Sequence, residues 1–150
     1  MAELISVPAD FLHVASRLAL ATLAGAAVGL DRELRRKPAG LRTHALVSLG
    51  AALMAIIGLL AGLSPADDGG AVGRVFQGVI AGIGFIGGGA ILRQNGTSAI
   101  HGLTTAASIW VVAAIGLATG AGLWRTAVFT SALTLVVLYI GELVDRRLGP

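Results

Sequence analysis

The feature that most constrains this chain is the recurrence of long apolar runs along 150 residues. They span Phe11–Leu30, Thr43–Leu63, Val72–Leu92, Leu103–Gly120 and Trp124–Leu143. A bilayer core about 30 Å thick needs about 20 apolar helical residues to cross it. Inside lipid each backbone amide must bond within its own segment, so a single apolar run crosses as a helix. Composition agrees: 55% of residues are hydrophobic, 13% are charged and the mean hydropathy is +0.85. A soluble domain of this length lacks the interior to hide so much apolar surface. A disordered chain would need the opposite balance. The reading is all-α: a polytopic bundle of five transmembrane helices in one domain, 1–150. The connections are short, so consecutive helices pack antiparallel.

Net charge is +3, and its placement is more informative than its size. Arg32, Arg35, Arg36, Lys37 and Arg42 gather in the first connection, Arg93 lies in the third, and Arg146 and Arg147 follow the last run. Glu3, Asp10, Asp67 and Asp68 mark the other side. Lys and Arg are retained on the cytoplasmic side. This predicts an amino terminus outside and a carboxyl terminus in the cytoplasm. Arg17, Arg74 and Arg125 lie near helix ends, where long side chains snorkel. The basic residues alternate with apolar runs, a membrane pattern and not a nucleic-acid stripe. Met1 to Phe11 has no Lys or Arg and so lacks the positive region of a signal peptide. The chain has no cysteine, which excludes disulfides and thiolate metal sites.

Glycine accounts for 22 residues. In the third run, Gly78, Gly82 and Gly89 fall on one helical face, and Gly84, Gly87 and Gly88 gather on another. Small residues let membrane helices approach closely. Glycine on two faces predicts a third helix at the centre of the bundle. The alternative is a pore-lining or broken helix around Gly87-Gly88-Gly89. Gly25/Gly29, Gly58/Gly62 and Gly116/Gly120 repeat the small-xxx-small spacing. Gly40-Leu41-Arg42-Thr43-His44-Ala45 resembles Gly102-Leu103-Thr104-Thr105-Ala106-Ala107, a weak sign of two related hairpins.

The cytoplasmic end carries the chemistry. The candidate cluster is Asp31, Arg32, Glu33, Arg42, Thr43, His101, Thr104 and Thr105, with Asn95, His44 and Ser108 nearby. A carboxylate directly after an apolar run needs a partner. For Asp31 this is Arg42, Arg32 or the first amides of helix two, or else Asp31 is a cation or proton site. Asp31 is also the best single candidate for Mg²⁺. Against a metal, Asp31 and Glu33 do not share a helical face. Basic residues and two helix amino termini surround them and favour anions. Asp67 and Asp68 are a looser Mg²⁺ attractor or a plain turn. His44 and His101 read as ordinary interfacial histidines. The letters Gly82-x-Gly84-x-x-Gly87 sit inside an apolar run with no preceding strand, so they are not a dinucleotide fingerprint. No enzyme motif is present, and no cofactor is expected beyond Mg²⁺ as a ligand or substrate.

Four segments resemble the MgtC/SapB family in order and spacing. They are Gly29-Leu30-Asp31-Arg32-Glu33, Lys37 through Val47 with its Ala39-Gly40-Leu41-Arg42-Thr43 motif, Gly82 through Ile91, and Gly102 through Trp110. The resemblance implies a bacterial inner-membrane protein linked to growth under low Mg²⁺, in a virulence-associated family. It implies a membrane regulator acting by helix contacts on a partner complex such as the F-type ATP synthase. The alternative is a small magnesium or other cation transporter or channel, with a homo-oligomer as a further option. The family's acidic residue after the first span corresponds to Asp31. The chain departs from the family at His101, where many members have Arg, and it lacks the membrane cysteines of the best-studied member. It resembles a short form without the carboxyl-terminal cytoplasmic domain.

Overall fold

A computed structural model of the chain describes residues 10–62, 70–93 and 100–148. Five helices run through them: α1 (Phe11–Leu34), α2 (Leu41–Ala61), α3 (Ala71–Ala90), α4 (Leu103–Gly120) and α5 (Trp124–Leu148). Each is long and apolar enough to cross a membrane. Between α3 and α4 lie two strands of two residues each, β1 (Leu92–Arg93) and β2 (Ile100–His101). They pair antiparallel, Leu92 with His101 and Arg93 with Ile100. Two residues per strand are too few to show as alternation in the sequence.

The helix ends follow from local chemistry. Asp10 caps α1 by accepting from the His13 backbone N–H at 2.9 Å, which satisfies one of the first-turn amides. At its other end α1 runs four residues past the predicted Leu30. Asp31 and Arg35 are one turn apart and pair along the helix surface, which favours the extra turn. The link to α2 takes left-handed backbone at Arg36 and Ala39. Gly40 precedes α2 and offers no side-chain cap. The Glu33 carboxylate replaces it, accepting from the Leu41 amide at 2.8 Å. Ahead of α4, Gly102 adopts φ +93°, and a Cβ there would run into the Ala90 carbonyl. Both conditions require glycine.

The centre of the bundle is α2 and α4, about half buried over their spans. One core cluster joins Ala51 and Ala55 of α2, Ile83 of α3, and Ile109, Ala113 and Leu117 of α4. A second joins Val28, Val112, Ile115 and Ala127. The expectation that the third helix is central is overturned. Among the described residues α3 packs mainly against α2 and α4 with its Ile83 and Gly87 side, and of α3 itself those two residues are buried. A Cβ on Gly87 would lie 3.6 Å from the Ala106 Cβ. A Cβ on Gly78, Gly82, Gly84, Gly88 or Gly89 would meet nothing within 4 Å.

The close helix contacts use other glycines. A Cβ on Gly25 would lie 2.5 Å from the His44 carbonyl oxygen, and one on Gly29 would lie 2.7 Å from the Leu41 Cα. Gly116 and Gly120 sit equally tight against the Ser48 and Ala52 carbonyls. Tight crossing needs small residues on both partners. α2 supplies them as Ser48, Ala51 and Ala52, so the tight seams run α1–α2 and α2–α4. α3 is also unbroken from Ala71 to Ala90, so it carries no break at Gly87-Gly88-Gly89. The two hairpins share one contact at matching positions: Gly25 meets His44 and Gly87 meets Ala106, each pair 19 residues apart.

Candidate functional site

The end of the bundle that carries the first connection holds a buried polar cluster between α1, α2 and α4. Arg32, in the last turn of α1, is only 4% exposed. Its Nη2 donates to Thr105 Oγ1 at 2.8 Å, in the first turn of α4. Ser108 lies one turn further along α4. Its hydroxyl donates to the Thr105 carbonyl at 2.8 Å and stands 3.0 Å from His44 Nε2. His44 is fully buried, with Nδ1 3.0 Å from the Gly40 carbonyl. A carbonyl only accepts, so Nδ1 carries the proton in neutral His44, and Nε2 then accepts. The single Ser108 proton is therefore shared between Nε2 and the Thr105 carbonyl. Three further buried atoms, Asp31 Oδ2, Arg32 Nε and Ser48 Oγ, have no hydrogen-bond partner among the described residues.

A second network ties α1 to α5 beside this cluster. Asp31 Oδ1 accepts from Arg35 Nε at 2.7 Å. Arg35 Nη1 donates to Glu142 Oε2, and Arg146 donates to Glu142 Oε1 at 2.6 Å. The Arg35 guanidinium also lies over the Tyr139 ring, 5.8 Å from its centre. Opposite charges at this depth stabilise one another by taking up each other's field.

The structure thus separates the eight candidate residues. Arg32 and Thr105 meet directly. Asp31 pairs with Arg35, not with Arg42 or Arg32, and it is Glu33 that reaches the first amide of α2. Thr43 is half-buried, while Arg42, His101 and Thr104 are on the surface. His44 is no interfacial histidine but the buried link between α2 and α4. Sequence reasoning missed Arg35 and Glu142. The Asp31-x-x-x-Arg35 spacing was a usable signal for the first, whereas Glu142 is more than 100 residues away. Asp67, Asp68 and Asn95 lie outside the described residues, as does Glu3.

The opposite end is simpler. Arg17 Nη1 donates to the Gly120 carbonyl at 2.9 Å, at the last residue of α4. A cation is favoured there by the helix dipole, so Arg17 does more than snorkel. Asp10 accepts from the backbone N–H and ring of His13, which holds its carboxyl below the usual range.

A resident Mg²⁺ fits this arrangement poorly. Mg²⁺ demands near-octahedral oxygen donors. Among the described residues no three His, Cys, Asp or Glu come together to hold a metal. One oxygen of Asp31 is taken by Arg35, and the Arg32 guanidinium stands near the carboxylate.

The sequence pattern of the MgtC family matches residues 18–147. This chain belongs to the MgtC family. It is 42% identical to protein SrpB of Synechococcus elongatus over 136 residues, 86% of this chain and 75% of SrpB. It is 44% identical to YhiD of Escherichia coli over 135 residues, 88% of this chain and 62% of YhiD. It is 38% identical to protein MgtC of Salmonella typhimurium over 128 residues, 85% of this chain and 50% of MgtC. The chain thus spans three-quarters of SrpB but only half of MgtC. No solved structure matches it significantly. The MgtC-family match runs from Leu18 to Arg147, so it takes in α2, α3 and α4, most of α1 and α5, and both polar networks.

Proposed function

We propose that this protein is a regulator in the bacterial inner membrane, linked to magnesium homeostasis and growth under low Mg²⁺, acting through helix contacts with a partner complex. The observation that carries this reading is the surface of α3 outside its contacts with α2 and α4, where a Cβ on Gly78, Gly84, Gly88 or Gly89 would meet nothing within 4 Å. Lipid tails gain nothing from bare backbone, whereas a second helix can approach it closely. The family resemblance makes the F-type ATP synthase the first partner to test. The basic connection and tail favour an orientation with the amino terminus outside and the carboxyl terminus in the cytoplasm.

The second reading is a small magnesium or other cation transporter. It is favoured by YhiD, whose name points to magnesium transport. Against it stand the Arg35 pairing of Asp31 and the buried Arg32 guanidinium, since a fixed positive charge opposes a divalent cation.

Liposomes holding a Mg²⁺ indicator separate the two. We expect no flux from folded protein, and photocrosslinkers at Gly84 and Gly88 to capture a membrane protein in cells grown at low Mg²⁺. Flux abolished by Asp31→Asn would overturn the regulator reading and make Asp31 part of a conduction path.

A further inference from the structure

The groove between α2 and α3 is a distinct feature from the outer face of α3. It is open to the membrane, with a volume of about 430 Å³. Its walls are Leu46, Val47, Gly50 and Ala51 on α2 and Val79, Gly82, Ile83 and Ile86 on α3. None of these side chains is polar, so nothing along the groove would hold a charged or hydrogen-bonding ligand. At its narrow-walled middle, a Cβ on either Gly50 or Gly82 would meet nothing within 4 Å.

The groove also has a charged mouth. Arg42, Leu46 and Gly50 are spaced four apart and lie on one stripe of α2. Arg42 is exposed, one turn before Leu46 at the basic end. Helical side chains lean toward the helix amino terminus. The Arg42 guanidinium is therefore carried away from the groove, toward the headgroup level where arginine snorkels. Arg36 and Lys37, both exposed, lie at the same end. An apolar slot with cations at one end is complementary to an anionic amphiphile: a chain along the slot and a negative headgroup at its mouth. A transmembrane helix would place its own apolar side chains in the slot but would leave these cations unmatched.

We infer that the α2–α3 groove is a binding site for one anionic phospholipid, its acyl chain lying against Gly50 and Gly82 and its phosphate held by Arg42. The bilayer supplies such a lipid at high local concentration. Bound there, it fills the gap between the central α2 and the peripheral α3 and so supports α3 on its open side. This inference does not depend on the partner complex proposed above.

The test uses the full chain in a neutral detergent, delipidated and titrated with phosphatidylglycerol or phosphatidylcholine. Binding is read by native mass spectrometry and by the shift in thermal unfolding. We expect phosphatidylglycerol to bind preferentially and raise the unfolding temperature. Arg42→Gln should weaken phosphatidylglycerol by about fivefold, the effect of about one basic residue at an anionic surface, and weaken phosphatidylcholine less, because its choline cation already offsets the phosphate. Gly82→Ile, whose Cβ would meet nothing within 4 Å, puts a side chain into the slot and should weaken both lipids. Its melting curve without lipid shows whether it is folded, and Gly50→Leu repeats the test from the other wall. Equal binding of the two lipids, a response to inorganic phosphate alone, or full binding by folded Gly82→Ile and Gly50→Leu would each overturn the inference. Dimerisation through the groove, seen as a disulfide between copies bearing Gly82→Cys that phosphatidylglycerol does not compete away, would overturn it in favour of a second copy.

Discussion

Asp31 Oδ1 and Arg35 Nε lie 2.7 Å apart on the last turn of α1, and that pairing decides what Asp31 can do. The carboxylate that follows the first apolar run is engaged in holding a cation, and that cation reaches on to Glu142 of α5. Within the described residues, α5 is lightly buried along its length, so this end contact adds to the packing of Ala127 in fixing it.

The first prediction concerns that clamp. Glu142→Gln should loosen the α5 end, read as faster amide exchange from Tyr139 to Arg147 with little change in α2 or α4. The pair is partly exposed, so the coupling energy in an Arg35/Glu142 double-mutant cycle should be modest, about 0.5–1.5 kcal/mol. A coupling near zero, with exchange unchanged, would show that α5 is held by packing alone.

Arg32 gives a sharper contrast. Its buried guanidinium hydrogen-bonds to a neutral hydroxyl. Replacing a whole buried polar pair by apolar side chains of similar volume is often neutral or stabilising, while removing one partner is costly. Arg32→Met combined with Thr105→Val should therefore leave unfolding resistance unchanged or raised, whereas Thr105→Val alone should lower it by about 1–3 kcal/mol. If Arg32→Met retains the fold and loses growth under low Mg²⁺, the guanidinium is functional. Severe unfolding of Arg32→Met would make it structural.

The glycines divide into two classes by what a methyl group would meet. Gly116→Ala puts a Cβ against the Ser48 carbonyl, an overpacked site that should cost about 1–3 kcal/mol. Gly84→Ala adds a methyl in open space and should stabilise α3 by about 0.5–1 kcal/mol through helix propensity. Thermal unfolding of the two variants in the same detergent reads the difference in sign. If Gly84→Ala is the more damaging in purified single chains, the open face has been misplaced.

A pH effect is expected at the far end. The Asp10 carboxyl is held below its unfolded value, chiefly by the His13 backbone N–H. A lowered folded value means that its contribution is present above about pH 3.9, the unfolded value, and is lost as pH falls through the folded one. Fraying of the first turn of α1, followed by chemical shifts of His13 and Val14, should rise in that acid window. Asp10→Asn should remove the pH dependence without removing the cap, because asparagine also caps well.

The helices were legible because length and apolarity fix them almost alone. Leu103–Gly120 was placed without error, and the other spans differ by a few residues at one or both ends. The centre of the bundle was not legible. Glycine content points to where close packing is permitted, but closeness also needs small residues on the facing helix. Ser48, Ala51 and Ala52 of α2 are not glycines, so they did not stand out. The same reason hid His44: a lone histidine near a helix start reads as interfacial until Ser108 of α4 is seen 3.0 Å away. Arg32 and Thr105 were both singled out, but only three-dimensional structure shows that the first bonds the second.

Two hydrogen bonds described above have a joint mechanical meaning. Arg17 reaches Gly120 and Arg32 reaches Thr105, so both ends of α1 are fastened to both ends of the antiparallel α4. The two arginines are fifteen residues apart, and so are their acceptors, a rise of about 22 Å along each helix. The two rails are therefore of equal length and closed by a rung at either end. Such a frame resists shear: sliding α1 along α4 stretches both rungs at once, and tilting it breaks one. α3 and α5 hang outside this frame, so sliding is less restrained there than between α1 and α4.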